Sequence, residues 1–177
     1  MVLDEIQTGF CRTGKMFCFM HEGIKPDILL VGKALGGGLM PVSAVLSSKE
    51  IMSVFTPGGH GSTFGGNPLA CAVGTAALDV FIDERLDQRA AELGAYFMKR
   101  LKDLDIPLFK EIRGKRLLIV VELKPEAGPA RKHTEALMRN GLLAKETHET
   151  TIRFAPPLVI KKEEIDEAIG IIQKVLR

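Results

Sequence analysis

Three apolar runs open the chain, in "MVLDE", "PDILLVGK" and "PVSAVLSS". Their apolar residues are continuous rather than alternating, which predicts strands buried on both faces, as in a mostly parallel sheet. The stretch "SKEIMSVF" predicts a short helix, and "TPGGHGSTFGGNP" is too rich in glycine and too poor in apolar residues to be core. After it, Asn67 is placed to cap a helix and Pro68 suits its first turn. The helix that follows, "PLACAVGTAALDVFID", is rich in small residues, so neighbouring backbone can approach it closely.

From Glu84 to Leu104 the period changes. Leu86, Ala90, Leu93, Phe97, Leu101 and Leu104 recur at three- and four-residue spacing, an amphipathic helix with Pro107 just beyond its end. Then come "LFKEIRG" and the apolar run "LLIVVEL". A helix near "ARKHTEALMRNG" follows, closed by Gly141. The segments "LLAKET" and "TIRFAPP" predict short strands. A last helix carries Ile165, Ile169, Ile172 and Leu176 on one face. The pattern divides the chain into an α/β portion over residues 1–82, a connecting helix over 83–104 and a smaller α+β domain over 105–177.

Composition narrows the classes. The 177 residues can bury a sizeable core, and a formal net charge of +2 with scattered basic residues predicts no nucleic-acid surface. No apolar run approaches the roughly 20 residues of a membrane helix. Cys11, Cys18 and Cys71 are odd in number and lack metal or redox spacing, so free thiols in a reducing, cytoplasmic setting are expected, with no metal. The opening "MVLDEIQTGF" has no leader pattern and begins inside a strand, so a truncated chain is expected.

Candidate chemistry centres on Lys33. It follows the apolar run and Gly32, and Gly36-Gly37-Gly38 come soon after. A surface lysine is the plain alternative. A lysine with space cleared around it, in a partly dry pocket, has a depressed pKa and can form a Schiff base. A phosphate-cradling loop is the rival reading, but here the lysine precedes the glycines. Asp4 ends its own apolar strand, where ligands gather in open α/β sheets. It is either a loop cap or a partner of Lys33, since pyridoxal phosphate needs a lysine for its aldehyde and a carboxylate for its ring nitrogen. Ser62 and Thr63 lie among glycines and could bind a phosphate, or belong to a surface turn. Arg153 sits between apolar residues, paired internally or open to a carboxylate. His60 is read as structural, and Glu5 and Arg12 are assigned nothing.

Together, "DEIQTGFCRTGKMF", "GIKPDILLVGKALGGGLMPVSAVL" and "HGSTFGGNPLACA" resemble the fold-type I, class III aminotransferases, in order and at that family's separations. The resemblance covers all of this chain but only the C-terminal part of the family's. It implies part of the large cofactor-binding domain, with a partial, mostly parallel sheet and helices, followed by a small α+β domain. It also implies pyridoxal 5'-phosphate as cofactor. Lys33 would hold it as a Schiff base and act as general acid/base. Asp4 would contact the pyridinium nitrogen, Ile6 would pack on the ring and Gln7 would bond the phenolic oxygen. Ser62 and Thr63 would reach the phosphate of a neighbouring subunit, making a homodimer part of the site. Arg153 would bind the α-carboxylate of a 2-oxo acid.

The phrases "PVSAVL", "HGSTFGGNP" and "NGLLAKETHETTIRFAPPLVI" are similar to the branch of the family that moves the δ-amino group of ornithine to 2-oxoglutarate. Acetylornithine and 4-aminobutyrate types, and a non-catalytic remnant, are the alternatives. One departure stands out: the family's usual "RGKGL" reads "RGKRL" here, with Arg116 where glycine is usual.

Overall fold

The computed structural model describes residues 1–177 and divides into two compact units, Met1–Asp87 and Gln88–Arg177. In the first unit a three-stranded sheet runs in the order β1-β2-β3. Strand β1 (Val2–Asp4) lies parallel to the central β2 (Ile28–Val31), and β3 (Ala44–Ser47) runs antiparallel to β2. Helix α1 (Lys49–Met52) starts at Ser48, whose hydroxyl accepts from the Ile51 N–H at 3.3 Å. Helix α2 (Pro68–Asp83) starts at Asn67, whose side chain accepts from the Ala70 N–H at 2.9 Å, with Pro68 where no N–H is needed. The buried stripe of α2 is Ala70, Gly74, Ala77 and Phe81. Its small residues admit the turn after β2: a Cβ on Gly37 would lie 3.4 Å from that of Ala77.

Burial of the strands on both faces holds only for β2, where Leu29 and Val31 are buried and the other two residues half-buried. In β1 and β3, Val2 is 58% exposed, Val45 54% and Leu46 48%. A continuous apolar run reports an affinity for burial; whether a second layer covers the strand depends on other elements, and here β1 and β3 are sheet edges.

The second unit is an antiparallel sheet in the order β4-β5-β7-β6. Its strands are β4 (Phe109–Lys115), β5 (Leu118–Leu123), β6 (Lys145–His148) and β7 (Thr151–Phe154). Helix α3 (Leu86–Lys102) spans the boundary between the units, and α4 (Ala130–Arg139) and α5 (Lys162–Leu176) complete the fold. Period-2 alternation puts Ile119, Val121 and Leu123 of β5 in the core while Leu118, Val120 and Glu122 are only half-buried. Strand β6 starts at Lys145, later than "LLAKET" suggests, and Leu143 before it is exposed. No helix is long and apolar enough to cross a membrane.

Candidate active site

Parallel strands finish on the same side of a sheet, so the C-terminal ends of β1 and β2 set the site. Asp4 pairs with Leu30, and Lys33 follows three residues later. Asp4 Oδ1 accepts from the Ile6 N–H at 3.0 Å, a local turn that lifts the chain off the sheet edge and leaves Gln7 exposed.

Glu5, assigned nothing from sequence, is what ties this turn down. Its carboxylate is buried and accepts from Thr8 Oγ1 at 2.8 Å, the Cys18 N–H at 2.9 Å and the Phe19 N–H at 2.8 Å. A buried carboxylate so supplied with donors fixes the segment carrying Asp4, Ile6 and Gln7. The one signal in the sequence was its position between Asp4 and Ile6.

Lys33 has φ +45°, a left-handed conformation that an L side chain adopts only when its surroundings enforce it. The surroundings are specific. A Cβ on Gly32 would lie 3.3 Å from Ser43 Cβ and 3.6 Å from Ile6 Cγ2, so these two side chains close over Gly32 beside the lysine. Gly37 and Gly38, at φ +57° and +77°, turn the chain away. Lys33 itself is exposed and borders an open hollow of about 680 Å³, with Met40, Val42, Ser43, Phe64 and Asn67 around it. Its amine is in no ion pair, so it is open to solvent at the rim of the hollow.

Not every candidate converges on this hollow. Phe64, Gly65 and Gly66 line it, whereas Asp4, Ile6, Gln7, Ser62 and Thr63 do not. Ser62 Oγ accepts from the Gly65 N–H at 2.9 Å, and Thr63 is exposed.

Arg153 belongs to the second unit. It lies on β7 between buried Ile152 and Phe154, so its side chain points to the opposite face from the core. Its cross-strand neighbours are Val120 and Lys145. A carboxylate near this face is engaged by other cations. Glu122 accepts from Lys110 at 2.5 Å and Arg113 at 2.7 Å, and its pKa is lowered by those bonds in that order. Arg153 is thus a half-buried guanidinium without an ion-pair partner, suited to an anionic ligand.

A parallel-strand edge carrying an aspartate and a lysine, with a glycine loop beside it, agrees with the family profile that matches residues 1–176, described as aminotransferase class-III. The chain belongs to the class III aminotransferases. Among curated relatives, it is 61% identical over 176 residues to the ornithine aminotransferase of Brevibacillus brevis, covering 99% of this chain and 43% of that protein. It is 57% identical over 174 residues to that of Staphylococcus carnosus, covering 98% and 43%. The chain therefore spans less than half the length of these relatives.

Among solved structures, the ornithine aminotransferase of Toxoplasma gondii superposes with a TM-score of 0.93 at 48% identity, covering 99% of this chain and 42% of that one. That protein, crystallised with oxidized glutathione, has partial occupancy of PLP at its active site. The acetylornithine aminotransferase of Elizabethkingia anophelis matches with a TM-score of 0.91 at 49% identity, covering 99% and 45%.

Proposed function

We propose that this chain carries the cofactor-holding lysine of an ornithine aminotransferase that moves the δ-amino group of L-ornithine to 2-oxoglutarate, giving glutamate semialdehyde and glutamate. The observation that carries the proposal is Lys33: an unpaired amine on a left-handed residue at the shared C-terminal edge of two parallel strands, beside an open hollow. What supports pyridoxal phosphate here is the exposed Lys33 amine beside a hollow with room for a pyridine ring, with Asp4 at the end of the neighbouring parallel strand. When bound, the cofactor supplies an aldehyde and an electron-withdrawing ring that stabilises negative charge at the carbon bearing the amine.

The chain's own residues do the rest. Lys33 would hold the cofactor through its amine and, once the substrate's amine has displaced it, would be free to carry a proton to or from the substrate carbon. Asp4 would keep the ring nitrogen protonated, Ile6 would pack on the ring and Gln7 would bond the phenolic oxygen. Ser62 and Thr63, which do not line the hollow beside Lys33, would reach the phosphate held by a second subunit, and the working form would be a homodimer. Arg153 binds the α-carboxylate of the oxo acid.

In this reading residues 1–82 are part of the large cofactor-binding domain, 83–104 connect, and 105–177 form the small domain of a cytoplasmic enzyme of amino-acid metabolism, on the route to proline. In this reading the isolated chain does not turn over by itself, since the relatives it matches are more than twice its length. An acetylornithine donor is the second reading, favoured by the 49% identity to the Elizabethkingia anophelis enzyme.

The test is borohydride trapping of pyridoxal phosphate on the purified chain, with the labelled lysine found by mass spectrometry. Selective label at Lys33, absent in Lys33→Ala, is expected. Label spread over many lysines, or none at all, refutes the assignment.

A further inference from the structure

Arg116 lies outside the candidate active site, at a position whose backbone disfavours it. It sits with Leu117 in the two-residue loop between β4 and β5, at φ +57°, where glycine is the natural occupant. The loop is seated firmly. A Cβ on Gly94 of α3 would overlap the Arg116 backbone, so the helix meets the hairpin tip through this glycine, while a Cβ on Gly114 would overlap Leu118 across the hairpin itself. The arginine backbone is therefore seated on α3, and its exposed side chain starts from a fixed Cα.

That place is cationic. A hollow of about 550 Å³ between α3 and the hairpin has Gly94, Ala95 and Met98 among its walls and Lys99, Lys102, Lys115 and Arg116 around it. Asp103 is the single carboxylate in its lining. Lys99 and Lys102 stand one turn apart on α3, near its C-terminal end, where cations also complement the helix dipole. Arg116 Nη1 makes one long contact, 3.5 Å to the Ala91 carbonyl, so most of its five donors are free to meet a ligand. Four cations against one carboxylate around a small-residue floor match a compact anion of high charge.

We propose that this hollow binds a small, multiply charged phosphate, the diphosphate group of a soluble ligand, with Arg116 as its principal contact. The forked guanidinium and the ammonium groups supply charge-assisted hydrogen bonds to phosphate oxygens. The cluster is confined to one hollow of a chain whose other basic residues are scattered, which favours a small anion over a polymer backbone.

The experiment is calorimetric titration of the 177-residue chain with inorganic pyrophosphate at low ionic strength. Saturable 1:1 binding is expected, weakened about tenfold or more by Arg116→Gly, in keeping with loss of a charge-assisted contact. The Lys99→Gln/Lys102→Gln variant weakens it similarly, and added salt weakens it through screening. Glycine suits φ +57°, so Arg116→Gly keeps the fold, and its circular dichroism melt confirms that. Lys33→Ala is expected to bind pyrophosphate unchanged. Absence of saturable binding, retained affinity in Arg116→Gly, or loss in Lys33→Ala overturns the site. Equal affinity for sulfate, or displacement of pyrophosphate by a tighter-binding single-stranded oligonucleotide, overturns the ligand class.

Discussion

Replacing Gly94 or Gly170 by alanine is one chemical change made in two helices, and the structure gives it opposite signs. Gly94 lies in α3 and Gly170 in α5, both in the second unit. In a helix interior alanine is favoured over glycine by about 1 kcal/mol. At Gly170 a Cβ would meet nothing within 4 Å, so that gain is realised in full. At Gly94 the Cβ would overlap the Cα, carbonyl carbon and oxygen of Arg116, the oxygen at 2.7 Å. These are backbone atoms of a short hairpin loop and cannot rotate aside. Forcing an extra carbon into such a contact costs ~3 kcal/mol, the upper part of the range for overpacking. Subtracting the propensity gain leaves Gly94→Ala destabilised by about 2 kcal/mol and Gly170→Ala stabilised by about 1 kcal/mol.

Thermal and denaturant unfolding followed by circular dichroism read both variants. For a unit of this size each kcal/mol shifts the midpoint by about 4–8 °C, so the two variants separate by more than 10 °C, roughly. The clash is with backbone, so Arg116→Gly does not rescue Gly94→Ala. A Gly94→Ala protein as stable as the parent would refute the reasoning: the hairpin tip would then not be seated on α3, and helix propensity alone would decide.

Two further expectations concern titration. Glu146 is held at a pKa of about 2 by its bond from Lys145 first, then a backbone N–H and Arg131. A lowered carboxyl stabilises above its usual value of 4.5 and loses that contribution as pH falls toward 2. Glu146→Gln should therefore be less stable than the parent at neutral pH, and the two should converge near pH 2; a gap independent of pH sinks this. Cys11 is fully buried, and burial first, then the nearby Asp87 charge, pushes its thiol up to about 11. Timed alkylation with mass spectrometry should modify exposed Cys71 first and Cys11 only on unfolding; simultaneous labelling contradicts the packing around Phe10 and Cys11.

Features written in local chemistry were legible in the sequence. Asn67 and Pro68 announce the start of α2, because caps answer to orphan N–H groups of the first turn. The spacing from Leu86 to Leu101 is the buried stripe of α3, and the four apolar residues of the last helix are all buried in α5. Asp4 and Lys33 could be placed at one sheet edge because each ends an apolar run. What was not legible depends on tertiary context. Nothing in "PVSAVL" reveals that β3 runs antiparallel to β2. The left-handed φ of Lys33 and Arg116 is imposed by neighbours, since neither residue type favours it. Glu5 carries no local signal because its three donors come from Thr8, Cys18 and Phe19, the last two more than ten positions away in sequence.

The two units do not share stability equally, and that bears on how the lysine is held. The large apolar core, from Phe97 to Leu176, lies wholly in the second unit. The unit that carries Lys33 rests on a smaller set: Leu29 and Val31 of β2, and Phe10 stacked on Phe81 and edge-on to Phe17 at 5.5 Å. It also exposes Leu39, Val54, Phe64 and Leu69. A strained φ persists only where the surrounding structure over-determines it. With so little apolar burial, that determination falls on directional contacts: Ile6 and Ser43 closing over Gly32, and the donors converging on Glu5. Ile6 packed on Gly32 joins the turn after β1 to the turn after β2, while the donors on Glu5 brace the first of these turns. The residue to which the sequence assigned no role is thus the one on which the geometry of Asp4, Ile6 and Gln7 depends.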